Sequence, residues 1–464
     1  MVLRYIKRYI LVLLLPVIRS LLNFGTGGVI SKLILGELVL SIIIIAIAVI
    51  RWKQYRIVVY NGYLRVSHGI FIKKIAVIPL NKISGLYVYK SPFYSMFGAA
   101  RVTIDTDAGY KKKSDFDFYF STKNLPYLTV AVSPCHKGIR KYNCTVWQSF
   151  ALAVSNASAL TGVLVFATAI NYAGKIFDEN VVNDTIINTI TLYTAIMNKF
   201  LPPATSFVAL VIFIGFAISF LLTLLKYLRF SIRKSDEGIS VEQGLLIRKN
   251  SYINQKEIAA TVIKQPPLLR FIKRCSILIY SAGYGKYKNE SNELVPVEKH
   301  SDINSSLMLM GLRQQSENLT LKPPARVFSR IIFMPTVYLF AVVALSMILI
   351  LKYPTYSPVF IIFSAFIILI IVYFIYIRYK YFKTGGATLR NGIRACTTSY
   401  LNLTDAQFEP DKIDVITVIQ GPFDRRHKVC TLQIVSRTES KFHVKSRNLD
   451  LKQTLKEIRD VFNI

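Results

Sequence analysis

Four stretches of this chain stay apolar for roughly 20 residues, the length an α-helix needs to cross the hydrocarbon layer of a bilayer. They run from Trp147 to Ile170, Ala204 to Leu225, Ile331 to Leu351 and Val359 to Ile377. A soluble chain of 464 residues would divide into two or three domains without needing uncharged runs of that length. A fifth stretch, Leu33 to Ile50, carries one acid, Glu37, and a sixth, Tyr9 to Phe24, is shorter. A backbone inside lipid must satisfy its own hydrogen bonds, so each run reads as a helix. The runs fall into three pairs, joined by Gly25 to Lys32, Asn171 to Pro203 and Lys352 to Pro358. The expected division is therefore a transmembrane hairpin at 1–50, 147–227 and 331–377, each followed by a domain, at 51–146, 228–330 and 378–464. Arg4, Lys7 and Arg8 could open a secretory signal, but no small-residue cleavage site follows and Pro16 and Arg19 interrupt the run. A retained helix is expected there.

Charge orients the hairpins. The chain has 58 Lys and Arg against 26 Asp and Glu, a net +32. The three connectors hold only Lys32, Lys175, Lys199 and Lys352 as basic residues. The segments after the pairs hold nearly all the others: 16 basic against 4 acidic from Arg51 to Lys141, 18 against 9 from Lys226 to Arg330, and 16 against 9 from Arg378 to Ile464. Retained Lys and Arg mark the cytoplasmic side, so both termini and all three domains are expected in the cytoplasm. Such an excess seeks a polyanion. A membrane surface is the expected one, and no nucleic-acid motif accompanies the charge. Arg19 and Glu37 lie near the outer ends of the first two spans, where they either pair at similar depth or snorkel separately to the interface.

The domains repeat. Ile83, Ile258 and Ile413 are each followed nine residues later by a proline, Pro92, Pro267 and Pro422. From the apolar residue after it (Phe93, Leu268, Phe423), an isoleucine follows after eleven more, at Ile104, Ile279 and Ile434. Within each copy the pattern is that of sheet. Ile57 to Val66 places two β-rich runs about Asn61-Gly62, a tight-hairpin signal, with Gly238 and Gly392 at comparable turns. Arg101 to Asp105 and Asp115 to Phe120 alternate polar and apolar residues as half-buried strands do. Leu451, Leu455, Ile458 and Phe462 recur at helical spacing behind Asn448 as the expected N-cap, with a weaker equivalent from Ser305 to Leu312. Antiparallel strands closed by one C-terminal helix outline a pleckstrin-homology (PH)-like barrel or sandwich.

The residues Arg51-Trp52-Lys53-Gln54-Tyr55-Arg56, Gly69, Ile78-Pro79-Leu80-Asn81-Lys82-Ile83, Ser91-Pro92-Phe93, Phe97-Gly98 and Asp107-Ala108-Gly109 carry a resemblance. The chain resembles the bacterial PH-domain membrane proteins of the YdbS/YdbT type, over nearly its whole length. The third copy departs from the pattern, with no Phe-Gly element and Phe408-Glu409-Pro410-Asp411 in place of Ile78-Pro79-Leu80-Asn81. The resemblance implies a PH-like fold, a cell-membrane location, no established catalytic residues, and a shorter single-domain relative as a partner in a membrane complex.

Three basic clusters are candidates for an anionic-lipid or partner surface: Lys111, Lys112 and Lys113; Arg270, Lys273 and Arg274; and Arg425, Arg426 and Lys428. The bland reading is that the first is a solvated turn and that the other two follow from topology alone. In the first copy the equivalent of the last two clusters, Phe93 to Ala100, is uncharged and aromatic, as a loop dipping into the interface would be. Cys135-His136 with Cys144 is the nearest approach to a metal pattern, and ordinary reduced thiols are expected instead. No cofactor is expected. The histidines share no motif, and no phosphate loop, zinc helix or nucleophile elbow occurs, so an enzyme is not expected. A scaffold or sensor is the expected class, and a six-helix transporter the alternative. Ser155, Asn156, Ser158 and Thr161 form a polar set in the third span, where close packing through small residues is the expected explanation.

Overall fold

The computed structural model describes residues 54–69, 72–106, 116–132, 140–158, 161–168, 203–235, 237–281, 292–315, 319–354, 357–390, 392–399, 402–438 and 442–462, with isolated helical residues in 42–50 and 187–193. The first hairpin, with Arg19 and Glu37, lies outside the described residues apart from those pieces, as do Lys111, Lys112, Lys113, Cys135 and His136.

Within the first copy, β1 (Arg56–Tyr60), β2 (Tyr63–His68) and β3 (Lys74–Pro79) make an antiparallel sheet. Asn61 and Gly62 turn its hairpin with φ of 47° and 76°. Positive φ at both central residues defines the turn whose twist matches the flanking strands. A three-residue turn, Leu80–Lys82, leads to a second sheet of β4 (Ile83–Lys90), β5 (Ala99–Thr106) and β6 (Phe116–Ser121). A short helix α1 (Pro92–Met96) joins β4 to β5, and α2 (Leu125–Val132) follows β6.

The second copy repeats this order with β7 (Arg140–Asn143), α3 (Val146–Asn156) and α4 (Pro203–Tyr227) ahead of it. Its sheets are β8 (Ser231–Lys234), β9 (Gly238–Gln243) and β10 (Arg248–Asn254), then β11 (Ile258–Gln265), β12 (Arg274–Ser281) and β13 (Glu293–Lys299). Helix α5 (Pro267–Phe271) takes the place of α1, and α6 (Ile303–Leu309) closes the copy. The third copy follows α7 (Phe328–Lys352) and α8 (Ser357–Thr384). It comprises β14 (Gly386–Thr388), β15 (Ile393–Ser399), β16 (Asn402–Phe408), β17 (Ile413–Ile419), α9 (Pro422–Arg426), β18 (Val429–Ser436), β19 (His443–Asp450) and α10 (Leu451–Phe462).

The sequence repeat is thus a structural one. Pro92, Pro267 and Pro422 each begin the short helix, where a missing N–H costs nothing. Ile104, Ile279 and Ile434 are fully buried at equivalent points of the second sheet. One local expectation is corrected. Asp450, not Asn448, caps α10, its carboxylate accepting from the N–H groups of Lys452 and Gln453 at 3.0 and 3.3 Å. Asn448 instead takes a left-handed turn at φ 62°, a conformation asparagine tolerates better than most residues.

The copies are fused edge to edge. β4 of the first copy pairs antiparallel with β10 of the second, giving one sheet in the order β6-β5-β4-β10-β9-β8-β7. β11 of the second pairs with β16 of the third, giving β13-β12-β11-β16-β15-β14. The cores cross these seams: Tyr87 of the first copy packs in the second copy's core, and Ala260 and Val262 of the second pack in the third's.

Among the described residues, three helices, within α4, α7 and α8, are long and apolar enough to span a bilayer. α7 and α8 pack along each other as a hairpin. The third expected span is not one straight helix. α3 starts with a capping box between Thr145 and Gln148, ends at Asn156, and a second helical stretch from Thr161 sets off at 88°. The break has a polar cause. Asn156 donates its side-chain amide to Glu293 Oε1 at 3.1 Å, and Ser158 gives its backbone N–H to Ser219 Oγ at 3.0 Å, in place of helix bonds. The small residues also pack closely, since a Cβ on Gly162 would meet the Gly215 carbonyl oxygen.

Candidate functional site: basic seams at the helix ends

Both sheet seams meet the end of an apolar helix, and both are basic there. At the first, α4 delivers Leu222, Leu225 and Lys226 to a cavity of about 480 Å³ whose other walls include Tyr89, Arg101, Lys249, Leu246 and Ile247. Tyr89 and Lys249 are register partners across the seam. Arg101 is held by a two-point bond to Asp117, at 2.9 and 3.0 Å. The Lys249 ammonium lies over the Tyr87 and Tyr89 rings, 5.4 and 5.6 Å from their centroids. Lys249 is buried while Leu222, Leu246 and Ile247 are exposed, so the cavity joins buried positive charge to exposed apolar walls.

At the second seam, Lys380 of α8, Arg270 of α5 and Arg394 of β15 surround His300, with Asp405 among them. Burial first, then the Lys380 charge, holds the His300 imidazole below the usual histidine range. Gln265 bonds the His300 Nδ1 at 3.0 Å. The guanidinium of Arg270 donates weakly from Nη2 to Gln265 Oε1 at 3.4 Å, and its Nε and Nη1 are buried. Beside it lies the Tyr373 hydroxyl of α8, buried and within hydrogen-bonding reach of the guanidinium.

The six described residues of the sequence-predicted basic clusters do not form one patch. Arg270 turns inward to the seam. Lys273 is exposed, and Arg274 opens β12, near Tyr142. Arg425, Arg426 and Lys428 are exposed at the end of α9, where Asp424 holds Arg330 of α7 at 2.7 Å. α5 likewise packs against α3. The short helices of the second and third copies therefore sit at the roots of apolar helices. Lys273 and Lys428 share a further property: both are left-handed, with φ of 55° and 53°, where the first copy has Gly98 at 61°. Such strain in a residue other than glycine costs on the order of 1 kcal/mol and calls for a reason.

Interfacial apolar character is not confined to the first copy, as the sequence contrast implied. Phe271 is 89% exposed and Phe423 75%, beside Met96 at 82%. Sequence reasoning also missed Arg101, Lys226, Lys249, Lys380 and Arg394. These come together only through pairing between copies, which no local spacing announces.

Glu293 marks the contact between the second copy and the break after α3. Its buried carboxyl is pushed above the usual carboxylate range by desolvation, opposed by bonds from Tyr227 and Asn156 and by the charges of Lys226 and Lys264. A raised pKa means that the native state holds the proton more tightly than the unfolded chain does. The stability contribution is present below the unfolded carboxyl pKa and is lost as pH rises through the folded one. Glu293→Gln keeps the neutral form at every pH. It should flatten the decline in melting temperature on the alkaline side of the carboxylate range, and thermal scans of both proteins from pH 4 to 8 would show an unchanged slope if the carboxyl titrates normally.

A family model of the bacterial PH domain matches residues 10–131 and 185–310, more than half of the chain. The chain belongs to the bacterial PH domain family. The two matches cover the first two copies of this repeat; the third copy shares their strand order. The chain is also 21% identical over 431 residues to the UPF0699 transmembrane protein YdbT of Bacillus subtilis (strain 168), covering 87% of this chain and 83% of that one. No solved structure matches. A membrane protein carrying bacterial PH domains is thereby established.

Proposed function

We propose that this chain is a non-enzymatic membrane scaffold that holds three PH-like domains against the cytoplasmic face of the bilayer and reads anionic lipid headgroups at its seams and loops. In this reading the chain has six spans in three hairpins with both termini inside, and the domain division is 51–146, 228–330 and 378–464. A shorter relative with a single PH domain is its companion in a complex. The observation that carries the lipid assignment is the gathering of Lys380, Arg270 and Arg394 near His300 at the root of an apolar helix, with Asp405 among them. A phosphate would offset that surplus of positive charge, and guanidinium suits it through its paired geometry. Arg425, Arg426 and Lys428 would add exposed charge at the surface, with Phe423 seated in the interface. Lys111, Lys112 and Lys113 are a third cluster proposed for the same role.

The test uses the full chain in nanodiscs of zwitterionic lipid with and without anionic phospholipid, with retained lipid read by native mass spectrometry. Anionic lipid should be retained selectively. Arg270→Gln with Lys380→Gln should lower its retention roughly tenfold or more, at about 1 kcal/mol per basic residue near the surface. Lys273→Gly and Lys428→Gly are more discriminating. Each should raise stability by about 1 kcal/mol through relief of the left-handed strain while lowering lipid retention. Retention indifferent to all four substitutions would leave these cations as topology signals only.

A further inference from the structure

The three copies do not end alike. β10 and β16, which close the first sheets of the second and third copies, are each covered by the copy before, through β4 and β11. The equivalent strand of the first copy, β3, pairs only with β2 among the described residues. The equivalent of β4 and β11 in the third copy, β17, pairs only with β18 among the described residues. Among those residues one molecule thus presents one open edge of each kind.

Exposure at equivalent positions follows the same division. Gly85 on β4 and Ala260 on β11 are buried, whereas Val415 on β17 is 52% exposed. Tyr252 on β10 and Gln407 on β16 are buried, whereas Val77 on β3 is 56% exposed. An open strand edge with apolar side chains is a template for another strand, and proteins that do not use one ordinarily blunt it.

We propose that β17 of one molecule pairs antiparallel with β3 of a second copy, repeating between molecules the contact that the chain makes twice within itself. The internal seams fix the register. Gly85 faces Ile253 and Ala260 faces Phe408; each pair joins the second residue after the Ile83 or Ile258 landmark to the fifth before the next one. The same rule sets Val415 against Ile78, Ile416 against Val77, Thr417 against Ala76 and Val418 against Ile75. It brings Lys82 towards Lys412, whose charge Glu257 already meets at 3.0 Å, so no bare like-charge pair arises. A second copy is the occupant because the strand that fits each edge is found at the other end of this same chain. Such a head-to-tail contact builds rows or closed rings. Both internal seams lie at the end of an apolar helix, α4 or α8, so a further identical step keeps the next molecule in the same bilayer.

Oxidative cross-linking of the full chain in its own membrane tests this. Residues opposite each other in an antiparallel pair have Cα atoms about 4.5–5.5 Å apart, within reach of a disulfide. Ala76→Cys combined with Thr417→Cys should give dimers and higher species under mild oxidation, including products joining two differently tagged copies. Each single variant should not. Ala76→Cys with Asp414→Cys, three residues out of register and about 10 Å away, should not either. Val77→Lys and Val415→Lys, both at exposed positions, should abolish the product in the cross-linking background and leave a folded protein on gel filtration. Three results would overturn the proposal: no product above the out-of-register control, a disulfide formed within one chain, or a different protein bound stoichiometrically at these edges with no cross-tag product.

Discussion

Phe408→Ala is expected to destabilise the protein by about 3–5 kcal/mol, the usual range for removing a fully buried phenylalanine, and to loosen two copies rather than one. Phe408 is fully buried on β16, opposite Ile393 within its own copy and opposite Ala260 across the seam. Its ring lies 5.9 Å from that of Phe442, which stacks on Tyr280 of the second copy at 3.9 Å. A cavity here therefore removes contacts from the third copy's core and from the strand that joins it to the second. Hydrogen exchange should rise in β11 as well as in β16 and β19. The control is Phe423→Ala, fifteen positions on and 75% exposed, which should leave stability within about 0.5 kcal/mol. Denaturant unfolding in detergent gives the comparison. A loss confined to the third copy would mean that the seam is a surface contact rather than shared core.

What the sequence disclosed and what it hid divide along physical lines. The proline and isoleucine intervals were legible because each copy is built from local elements: a hairpin, a three-residue turn, a short helix opened by proline. Asn61-Gly62 was legible because few dipeptides adopt two successive positive φ values. The apolar runs of α7 and α8 were legible by length alone. The seams were not. Nothing in Tyr89 or Lys249 announces that they are partners, because sheet pairing between copies depends on which edges are left uncovered after each copy folds. For the same reason Arg270 read as one of three loop cations and not as an inward neighbour of Tyr373 on α8. The break after Asn156 was hidden for a different reason: a polar cluster in an apolar run fits close packing and a helix end alike, and only Glu293, far along the chain, decides between them. Asn448 was misread because the property that makes asparagine a good cap also makes it tolerant of left-handed turns.

The second large effect is expected at Arg394 and Asp405, and it should be asymmetric. Arg394 Nε meets Asp405 Oδ1 at 2.9 Å and its Nη2 meets Oδ2 at 2.5 Å, with both side chains largely buried. Gln315, from the segment leaving the second copy, adds a bond to Asp405 at 3.2 Å, so the pair also ties the copies together. Removing one partner of a buried pair strands the other charge, which costs about 3–5 kcal/mol in general. The surroundings decide which loss is worse. With Arg394 gone, Asp405 keeps Gln315 and lies near the cations around His300, so Arg394→Ala should fall at the low end of that range. With Asp405 gone, Arg394 is left buried among Arg270 and Lys380, so Asp405→Ala should fall at the high end. Added anionic lipid should then rescue Asp405→Ala more than Arg394→Ala, because only the former leaves a surplus of buried positive charge for a headgroup to neutralise. Melting temperatures of both variants, with and without anionic lipid, separate the cases. Equal losses and equal rescue would show that the second seam is an ordinary structural ion pair, and the headgroup reading would then rest on the first seam alone.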